Sequence, residues 1–326
     1  MKIPVTVIVP IYGVEAFVER CVRSLFGQSL SNMEYIFVND CTRDQSMRII
    51  NRLITEYEIP VLNIKIISHD KNRGLAAARN SGLAAATGDY IFHCDADDWI
   101  EKNAMEDMYI LASKKQADMV WCDWFLSFRN NERYMSQLGT EYPLDYLKAM
   151  LSGKLKFNVW NKLVKRDLYL NNEITFPECY DMGEDMTMIK LAVFAKEVAY
   201  LPKALYHYVQ LNTNSYTKKI SEKRLCQILY NTNCTIDFIQ EKLGNGLDKE
   251  IQFFKLNIKL PFLISNDKKS YIRWLEWYPE ANKYIDQNAF PFRTRLIQKM
   301  AMRRWFWVLK LYYWLVIRVI YGIIYK

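Results

Sequence analysis

Hydrophobic positions in the first hundred residues follow two alternating patterns, one typical of buried strands and one typical of the helices that cover them. Residues 6–9 form an uninterrupted β-branched run, and after a turn apolar side chains recur at helical spacing over residues 18–25. The order then repeats, with strands at 35–38, 64–67 and 90–94 and helices at 44–57 and 75–86. This alternation predicts an α/β fold, a mostly parallel sheet with helices on both faces.

The pattern becomes less regular in the second half of the chain. A further strand is predicted at 119–128, mixed helices and short strands follow, and residues 221–290 have helical spacing. At 326 residues the chain is longer than most single domains. We therefore expect three parts: a catalytic α/β domain at 1–217, a helical C-terminal region at 218–292 and a tail at 293–326.

The positive charge of the chain is concentrated in that tail. Residues 293–326 contain eight basic residues and no acidic ones, while the rest of the chain contains 36 of each. A main body of balanced charge argues against nucleic-acid binding, which needs a basic face of its own. We therefore expect no nucleic-acid partner.

The tail is apolar as well as basic, which points to a membrane surface. Residues 305–325 are long enough to span a bilayer, but two charges interrupt them, and each would cost roughly 2.5–3.5 kcal/mol at the centre of a spanning helix. On one continuous helix the basic stripe would comprise Lys299, Arg303, Lys310 and Arg318. Such a stripe favours a helix lying in the interface of an anionic membrane. The alternative is a helix packed against its own protein or an oligomer partner.

Cysteine usage and the N-terminus both indicate the cytoplasm. The seven cysteines lack C-x-x-C spacing, which argues against a disulfide framework and against a structural zinc site. The first residues run directly into a strand pattern, without the organisation of a signal peptide. We therefore expect a cytoplasmic protein that its tail attaches peripherally to the inner face of the cell membrane.

Three carboxylates crowd the end of the predicted strand at 90–94. Asp95 and Asp97 would project to the same side of an extended backbone, where one cation could meet both. Oxygen ligands favour a hard divalent ion, Mg²⁺ or Mn²⁺, and such an ion commonly also binds phosphate oxygens. The alternative is that Asp97 and Asp98 cap a helix that begins near Trp99.

The ends of the other predicted strands supply further candidates. Because the carboxyl ends of parallel strands gather along one edge of a sheet, Asp40 and Tyr12 should lie in the same crevice as Asp95. The carboxylate of Asp40 can accept a hydrogen bond from a nucleobase N–H. Tyr12 can stack on the base, or pack as an ordinary aromatic residue.

Three segments, taken in order, resemble the family 2 glycosyltransferases of the GT-A fold. They are residues 7–12 (VIVPIY), 38–46 (VNDCTRDQS) and 72–80 (NRGLAAARN). Asn39 and Cys41 replace an aspartate and a glycine that are usual in the second segment, so only Asp40 inherits its base-binding role. The likeness is close over residues 1–100.

The resemblance implies a site for a nucleotide-sugar donor. Pro10, Tyr12 and Asp40 would hold the nucleoside. Asp95 would contact the ribose or the metal, its neighbour Ala96 would also contact the donor, and Asp97 would bind the metal on the diphosphate. Arg79 would either align the nucleotide pocket or form a salt bridge that holds its helix against the strand-end loops.

The resemblance also implies groups for the acceptor. Asp185 would be the catalytic base, and Glu184 would bind the acceptor or brace the loop; the alternative is that both carboxylates cap the helix predicted at 186–195. Trp160 would be a platform for a sugar ring or a core tryptophan. His207 would be a third metal ligand or a packed, hydrogen-bonded histidine.

The expected function is an inverting, metal-dependent sugar transfer that uses Mn²⁺ or Mg²⁺. The donor would be a nucleotide sugar, in the first place a UDP-sugar, and the acceptor a hydroxyl of a saccharide or lipid-linked saccharide in surface polysaccharide synthesis. Two alternatives remain open from the sequence: a sugar-phosphate nucleotidyltransferase, and a non-catalytic membrane-bound scaffold with the same fold.

Overall fold

The computed structural model describes residues 3–212, 221–288 and 290–321. Within these residues nine strands form one sheet. The strands are β1 (Val5–Ile11), β2 (Glu34–Asn39), β3 (Ile64–Ser68), β4 (Tyr90–His93), β5 (Trp99–Ile100), β6 (Met119–Ser127), β7 (Glu132–Met135), β8 (Lys162–Lys165) and β9 (Val198–Val209). Their order in the sheet is β3-β2-β1-β4-β8-β6-β9-β5, and β7 pairs with β6.

Twelve α-helices are found in the same part of the chain. They are α1 (Val18–Phe26), α2 (Ser46–Glu56), α3 (Leu75–Ala85), α4 (Ala104–Lys115), α5 (Pro143–Leu151), α6 (Arg166–Leu170), α7 (Thr187–Phe194), α8 (Glu222–Leu243), α9 (Asp248–Lys259), α10 (Lys268–Glu276), α11 (Phe292–Met302) and α12 (Phe306–Tyr312). The predicted border between catalytic domain and helical region, at 217 and 218, lies outside the described residues.

The first four long strands confirm the predicted parallel arrangement. β1 pairs in parallel with β2 and β4, and β2 pairs in parallel with β3. Side chains alternate along each strand, so Ile8 and Ile36 enter the core on one face of the sheet, while Val7 and Phe37 enter the core on the other. Both faces are therefore covered, as the run of β-branched and aromatic residues predicts.

The rest of the sheet is mixed. β8 runs antiparallel to both β4 and β6, whereas β6 and β9 are parallel. Asp95, Ala96 and Asp97 form a D-x-D segment. The strand β5 begins two residues after it and pairs antiparallel with β9, and α4 begins only at Ala104. The alternative that Asp97 and Asp98 cap a helix near Trp99 is therefore wrong, because Trp99 and Ile100 pair with a distant strand. The extended backbone predicted for Asp95 to Asp97 is also wrong, since these residues form a turn in which the N–H of Asp98 donates to the carbonyl of Asp95 (3.0 Å).

The C-terminal helices form a third apolar cluster that also holds the tail. Trp274 of α10 and Leu225 of α8 share this cluster with Ile297 of α11 and Leu309 of α12. The chain changes direction between α11 and α12 at Arg304, which has φ +57°. The predicted basic stripe therefore does not lie on one continuous helix. Residues 322–326 of the predicted tail, and the side chain of Arg318 in the predicted stripe, lie outside the part of the chain that the structure describes.

α12 continues into a π-helical segment, Tyr313–Tyr321. Across the described ranges, no helix is both long and apolar enough to cross a membrane.

Candidate functional site

Backbone hydrogen bonds bring the predicted strand ends to one edge of the sheet. The N–H of Asp40 donates to the carbonyl of Ile11 (3.0 Å), and the N–H of His69 donates to the carbonyl of Asn39 (2.9 Å). On the other side of β1, the N–H of Cys94 donates to the carbonyl of Ile8 (3.0 Å). The carboxyl ends of β1 to β4 therefore adjoin one another, as predicted.

Asp40 is held at this edge by the loop that follows β3. Its carboxylate accepts hydrogen bonds from the backbone N–H groups of Arg73 and Gly74, both at 2.8 Å, and from Nδ1 of His69 at 2.7 Å. Only 3% of the residue is exposed. Gly74 has φ +92°, and a Cβ there would lie 2.5 Å from a carboxylate oxygen of Asp181. This loop therefore requires glycine at position 74.

Two residues at the end of β1 face outward from the same edge. Tyr12 is 57% exposed, so a face of its ring is accessible to a flat ligand. Pro10 is partly exposed. Their placement fits the predicted contact with a nucleoside, which stays a prediction.

The three carboxylates after β4 have different surroundings. Asp98 is buried and accepts hydrogen bonds from Oη of Tyr206 and the N–H of Val209, both at 2.7 Å. Burial, together with the charges of Asp97 and Asp95, raises the pKa of Asp98 well above its usual range. Asp95 and Asp97 are partly exposed and flank the buried Ala96. They are therefore the two members of this group that a ligand can reach.

Asp97 and Asp95 also differ in their protein partners. Asp97 accepts a hydrogen bond from Nδ2 of Asn212 (2.9 Å), and Asp95 accepts one from Nη2 of Arg79 (2.9 Å). In the described ranges no group of three or more His, Cys, Asp or Glu side chains could hold a metal ion by itself. Any cation here would need further ligands, which the phosphate oxygens of a substrate can supply.

Arg79 joins the two sides of the site. Its side chain is 1% exposed, and Nη2 lies 2.9 Å from Asp95 and 3.8 Å from Glu184. Burial alone would lower the pKa of Arg79, but the charges of Asp95, Glu184 and Asp185 outweigh it and raise that pKa. The salt bridge considered for this arginine is present, and it reaches both carboxylate groups predicted to act on donor and acceptor.

Glu184 and Asp185 form a 3-10 turn ahead of α7, Glu184–Met186. Glu184 is buried, while Asp185 is partly exposed and accepts a hydrogen bond from the N–H of Val159 (3.0 Å). Burial and the charge of Asp185 raise the pKa of Glu184 well above its usual range. Burial also raises the pKa of Asp185, against the opposing charge of Arg79. Asp185 is therefore the more accessible of the two carboxylates.

Trp160 lies in an aromatic stack beside these carboxylates. Its ring stacks on Tyr206 at a centroid distance of 4.4 Å and on Tyr208 at 5.3 Å. The residue is 7% exposed. Its role as a sugar platform stays a prediction, since the described packing is that of a core tryptophan.

Lys162, two residues further on, was not singled out by the sequence. Its buried Nζ donates to the carbonyls of Lys156 and Asn158 and to Oδ1 of Asn161, at 2.7 to 2.9 Å. These bonds close the loop that carries Val159 and therefore the donor to Asp185. Burial lowers the pKa of Lys162 to about 7. No local pattern distinguishes this lysine from a surface one.

His207 lies away from the D-x-D carboxylates. Tyr206, its neighbour on β9, points toward Asp98, and successive side chains of a strand face opposite ways. His207 stacks on Trp99, and its ring nitrogens lie 2.8 Å from Glu132 and 3.0 Å from Glu101. This geometry gives no support to His207 as a third metal ligand and matches the packed, hydrogen-bonded alternative.

Comparisons with known proteins agree with the fold. The sequence profile described as Glycosyl transferase family 2 matches residues 6–176, more than half of the chain. EpsH of Bacillus subtilis (strain 168), a glycosyltransferase by its assigned name, is 34% identical over 264 residues, which cover 77% of this chain and 73% of EpsH. EpsJ of the same organism, named an uncharacterized glycosyltransferase, is 28% identical over 95% of both chains.

A solved structure shares the fold over nearly the whole chain. S. aureus TarS 1–349 in complex with UDP superposes with a TM-score of 0.69 and 19% identity, and the match covers 95% of this chain and 91% of that one. A second structure of the same protein contains UDP-GlcNAc.

Proposed function

This chain belongs to family 2 of the glycosyltransferases and has their GT-A fold, and we propose that it transfers a sugar from a UDP-sugar to a saccharide hydroxyl with inversion of the anomeric centre. The observation that carries the proposal is the position of Arg79. One buried guanidinium contacts Asp95 on the donor side and Glu184 on the acceptor side, which places the two groups of carboxylates in one site.

A uridine diphosphate fits the donor side. Asp40 can accept from the imide N–H of uracil, and the exposed ring of Tyr12 can stack on the base. The TarS structures with UDP and UDP-GlcNAc support the same nucleotide for this chain. Asp95 and Asp97 would lie next to the diphosphate of this nucleotide.

A divalent cation fits the same two carboxylates. Asp95 and Asp97 offer the hard oxygen ligands that Mg²⁺ and Mn²⁺ prefer, and such ions often use one or two protein carboxylates with substrate phosphates. When bound, the ion would stabilise the negative charge of the departing diphosphate.

Asp185 is the base of the proposed reaction. It accepts the proton of the acceptor hydroxyl while that oxygen forms a bond to the anomeric carbon of the donor. The bond from this carbon to the diphosphate oxygen breaks on the opposite face, and UDP leaves with the bonding electron pair. One displacement of this kind inverts the configuration.

The tail supports a saccharide acceptor carried on a lipid, as in surface polysaccharide synthesis. Apolar side chains of the last helical segments are exposed at intervals of three to four residues, namely Trp307, Leu311 and Trp314, and Leu315 is exposed next to the last of them. Arg303, Arg304 and Lys310 are exposed beside them. An aromatic face flanked by cations suits the interface of an anionic membrane, here the inner face of the cell membrane.

Helix α8 connects this surface with the acceptor side. Leu225 lies in the apolar cluster that holds Leu309 of the tail, and six residues later Asn231 donates to the carbonyls of Tyr180 and Met182, just before Asp185. At 1.5 Å per residue the two contacts are about 9 Å apart along the helix. An acceptor anchored in the membrane would therefore be close to the base.

Donor turnover tests the proposed reaction. Purified protein is incubated with Mn²⁺ and a panel of UDP-, GDP- and dTDP-sugars, as wild type, as Asp97→Ala and as Asp145→Ala, a matched exposed aspartate on α5. We expect UDP release with one UDP-sugar, loss of release in Asp97→Ala and no change in Asp145→Ala. In a parallel incubation with UTP and sugar 1-phosphates, release of pyrophosphate would indicate the nucleotidyltransferase instead, and nucleotide binding without any turnover would indicate the scaffold.

Vesicle sedimentation tests the membrane surface. Deletion of the tail is unsuitable because Ile297 and Leu309 belong to the folded core, so the test uses the double variant Trp307→Ser/Trp314→Ser. We expect it to lose binding to vesicles of phosphatidylcholine with phosphatidylglycerol. The control Val61→Ser/Leu62→Ser, which alters even more exposed apolar residues before β3, should still bind. Equal sedimentation of both variants would contradict the proposal.

A further inference from the structure

His69 is the middle member of a hydrogen-bonded chain that ends on Asp40. Its Nδ1 lies 2.7 Å from Oδ1 of Asp40, and its Nε2 lies 2.9 Å from Oγ of Ser81 on α3. The side chains of His69 and Asp40 are each only 5% exposed. The sequence places His69 at the end of β3 but gives it no role.

The hydrogen-bond partners define the direction of each bond. An ionised carboxylate only accepts, so Nδ1 of His69 carries the proton that is shared with Asp40. In the neutral ring Nε2 is then an acceptor, and the hydroxyl of Ser81 donates to it. The imidazole therefore has one defined tautomer and one defined orientation.

This arrangement leaves Asp40 with a restricted capacity for further bonds. Oδ1 accepts from both His69 and the N–H of Arg73, while Oδ2 accepts only from the N–H of Gly74. A carboxylate has about four acceptor positions in all. Among the described residues one position therefore remains for a ligand, and it lies on Oδ2.

We infer that His69, oriented by Ser81, is a positioning residue that turns the remaining acceptor position of Asp40 toward the nucleobase and thereby selects uracil over cytosine. The inference rests on the proposed uridine donor. Uracil presents a donor at N3, which a carboxylate accepts, whereas N3 of cytosine is itself an acceptor and is repelled. Without His69 the carboxylate would still be bound by two backbone N–H groups, but its rotation would be less restricted.

The test is the ratio of UDP to CDP affinity, measured by calorimetry with Mn²⁺ on four proteins. They are wild type, His69→Leu, His69→Asn and Ser81→Ala. Asparagine keeps an N–H at the place of Nδ1 but cannot reach Ser81, while leucine removes both bonds. We expect His69→Leu to weaken UDP binding about tenfold, which corresponds to the loss of one hydrogen bond to a charged group. CDP binding should weaken far less.

The other two variants separate positioning from general support. His69→Asn should recover most of the UDP preference, and Ser81→Ala should lower it by about threefold, since it removes only the outer bond. Ser113→Ala, a partly buried serine on α4, is the matched control and should not alter either affinity.

Two results would overturn the inference. One is an equal loss of UDP and CDP binding in His69→Leu, which would make His69 a general structural residue. The other is an unchanged ratio in every variant. A failure of the proposed donor is distinguishable from both, because it would be seen in the wild type as binding of another nucleotide in preference to UDP.

Discussion

The proposed donor side and the proposed acceptor side of this site are built in different ways. On the donor side, Asp40 is held by backbone N–H groups of a loop next to a parallel strand. On the acceptor side, Glu184, Asp185 and Lys162 are ionisable groups whose pKa values burial displaces. The first arrangement fixes the position of one carboxylate, which suits the proposed recognition of a nucleobase, and the second changes proton affinities, which suits the proposed base.

The largest effect should come from the base. Asp185→Asn should lower the turnover number by about 10²–10⁴, the usual contribution of a general base, because the amide cannot accept the proton. UDP affinity should remain within about twofold, since Asp40 is held by the N–H groups of Arg73 and Gly74 and not by Asp185. Single-turnover kinetics and calorimetry measure the two quantities. A matching loss of UDP binding would show that the two sides are not independent.

Strain in the loop that follows β3 and holds Asp40 should produce the second largest effect. Gly74→Ala should lower the free energy of unfolding by about 3 kcal/mol, because position 74 has positive φ and the new Cβ would meet Asp181. UDP binding should weaken as well, since the N–H of Gly74 donates to Asp40. Urea denaturation measures the first quantity. Gly246→Ala is the control, because no atom lies within 4 Å of its Cβ position.

The buried lysine should make the acceptor side sensitive to pH. The pKa of Lys162 is about 7 in the folded protein and about 10.4 in an unfolded chain. The unfolded state therefore binds more protons between these values, and the free energy of unfolding should rise with pH across that window. Between pH 7 and pH 9 the free energy of unfolding should rise by about 2 kcal/mol less in Lys162→Met than in the wild type.

Urea denaturation of wild type and Lys162→Met at the two pH values measures this difference. Lys203→Met, at an exposed lysine, is the control. Equal pH dependence of Lys162→Met and wild type would mean that Lys162 remains charged over the whole range.

The smallest effect should come from the exposed aromatic ring of the donor side. Tyr12→Ala should weaken UDP binding about tenfold, as expected for the loss of one stacked base. The midpoint of urea unfolding should not change, because more than half of Tyr12 is exposed. If UDP binding is unaffected, the uracil ring does not stack on Tyr12.

The donor side could be predicted from the sequence because its parts are short, continuous segments. Strand ends, Asp40 and the D-x-D carboxylates follow from alternating strands and helices and from the family motifs. The acceptor side depends on contacts between distant residues. Asp185 bonds to Val159, in the loop that Lys162 closes, and the carbonyls of Tyr180 and Met182 bond to Asn231, about 50 positions away. No local pattern records such pairs. The metal role of His207 is an implication of the family resemblance, and only the contacts of its ring with Glu132 and Glu101 show a different position.

The stereochemistry of the transferred sugar tests the central claim most directly. The glycosidic product formed from an α-linked UDP-sugar is isolated and its anomeric proton coupling is measured by NMR. We expect a β linkage, because Asp185 activates an acceptor that attacks opposite the departing diphosphate. A product that retains the α configuration would contradict it.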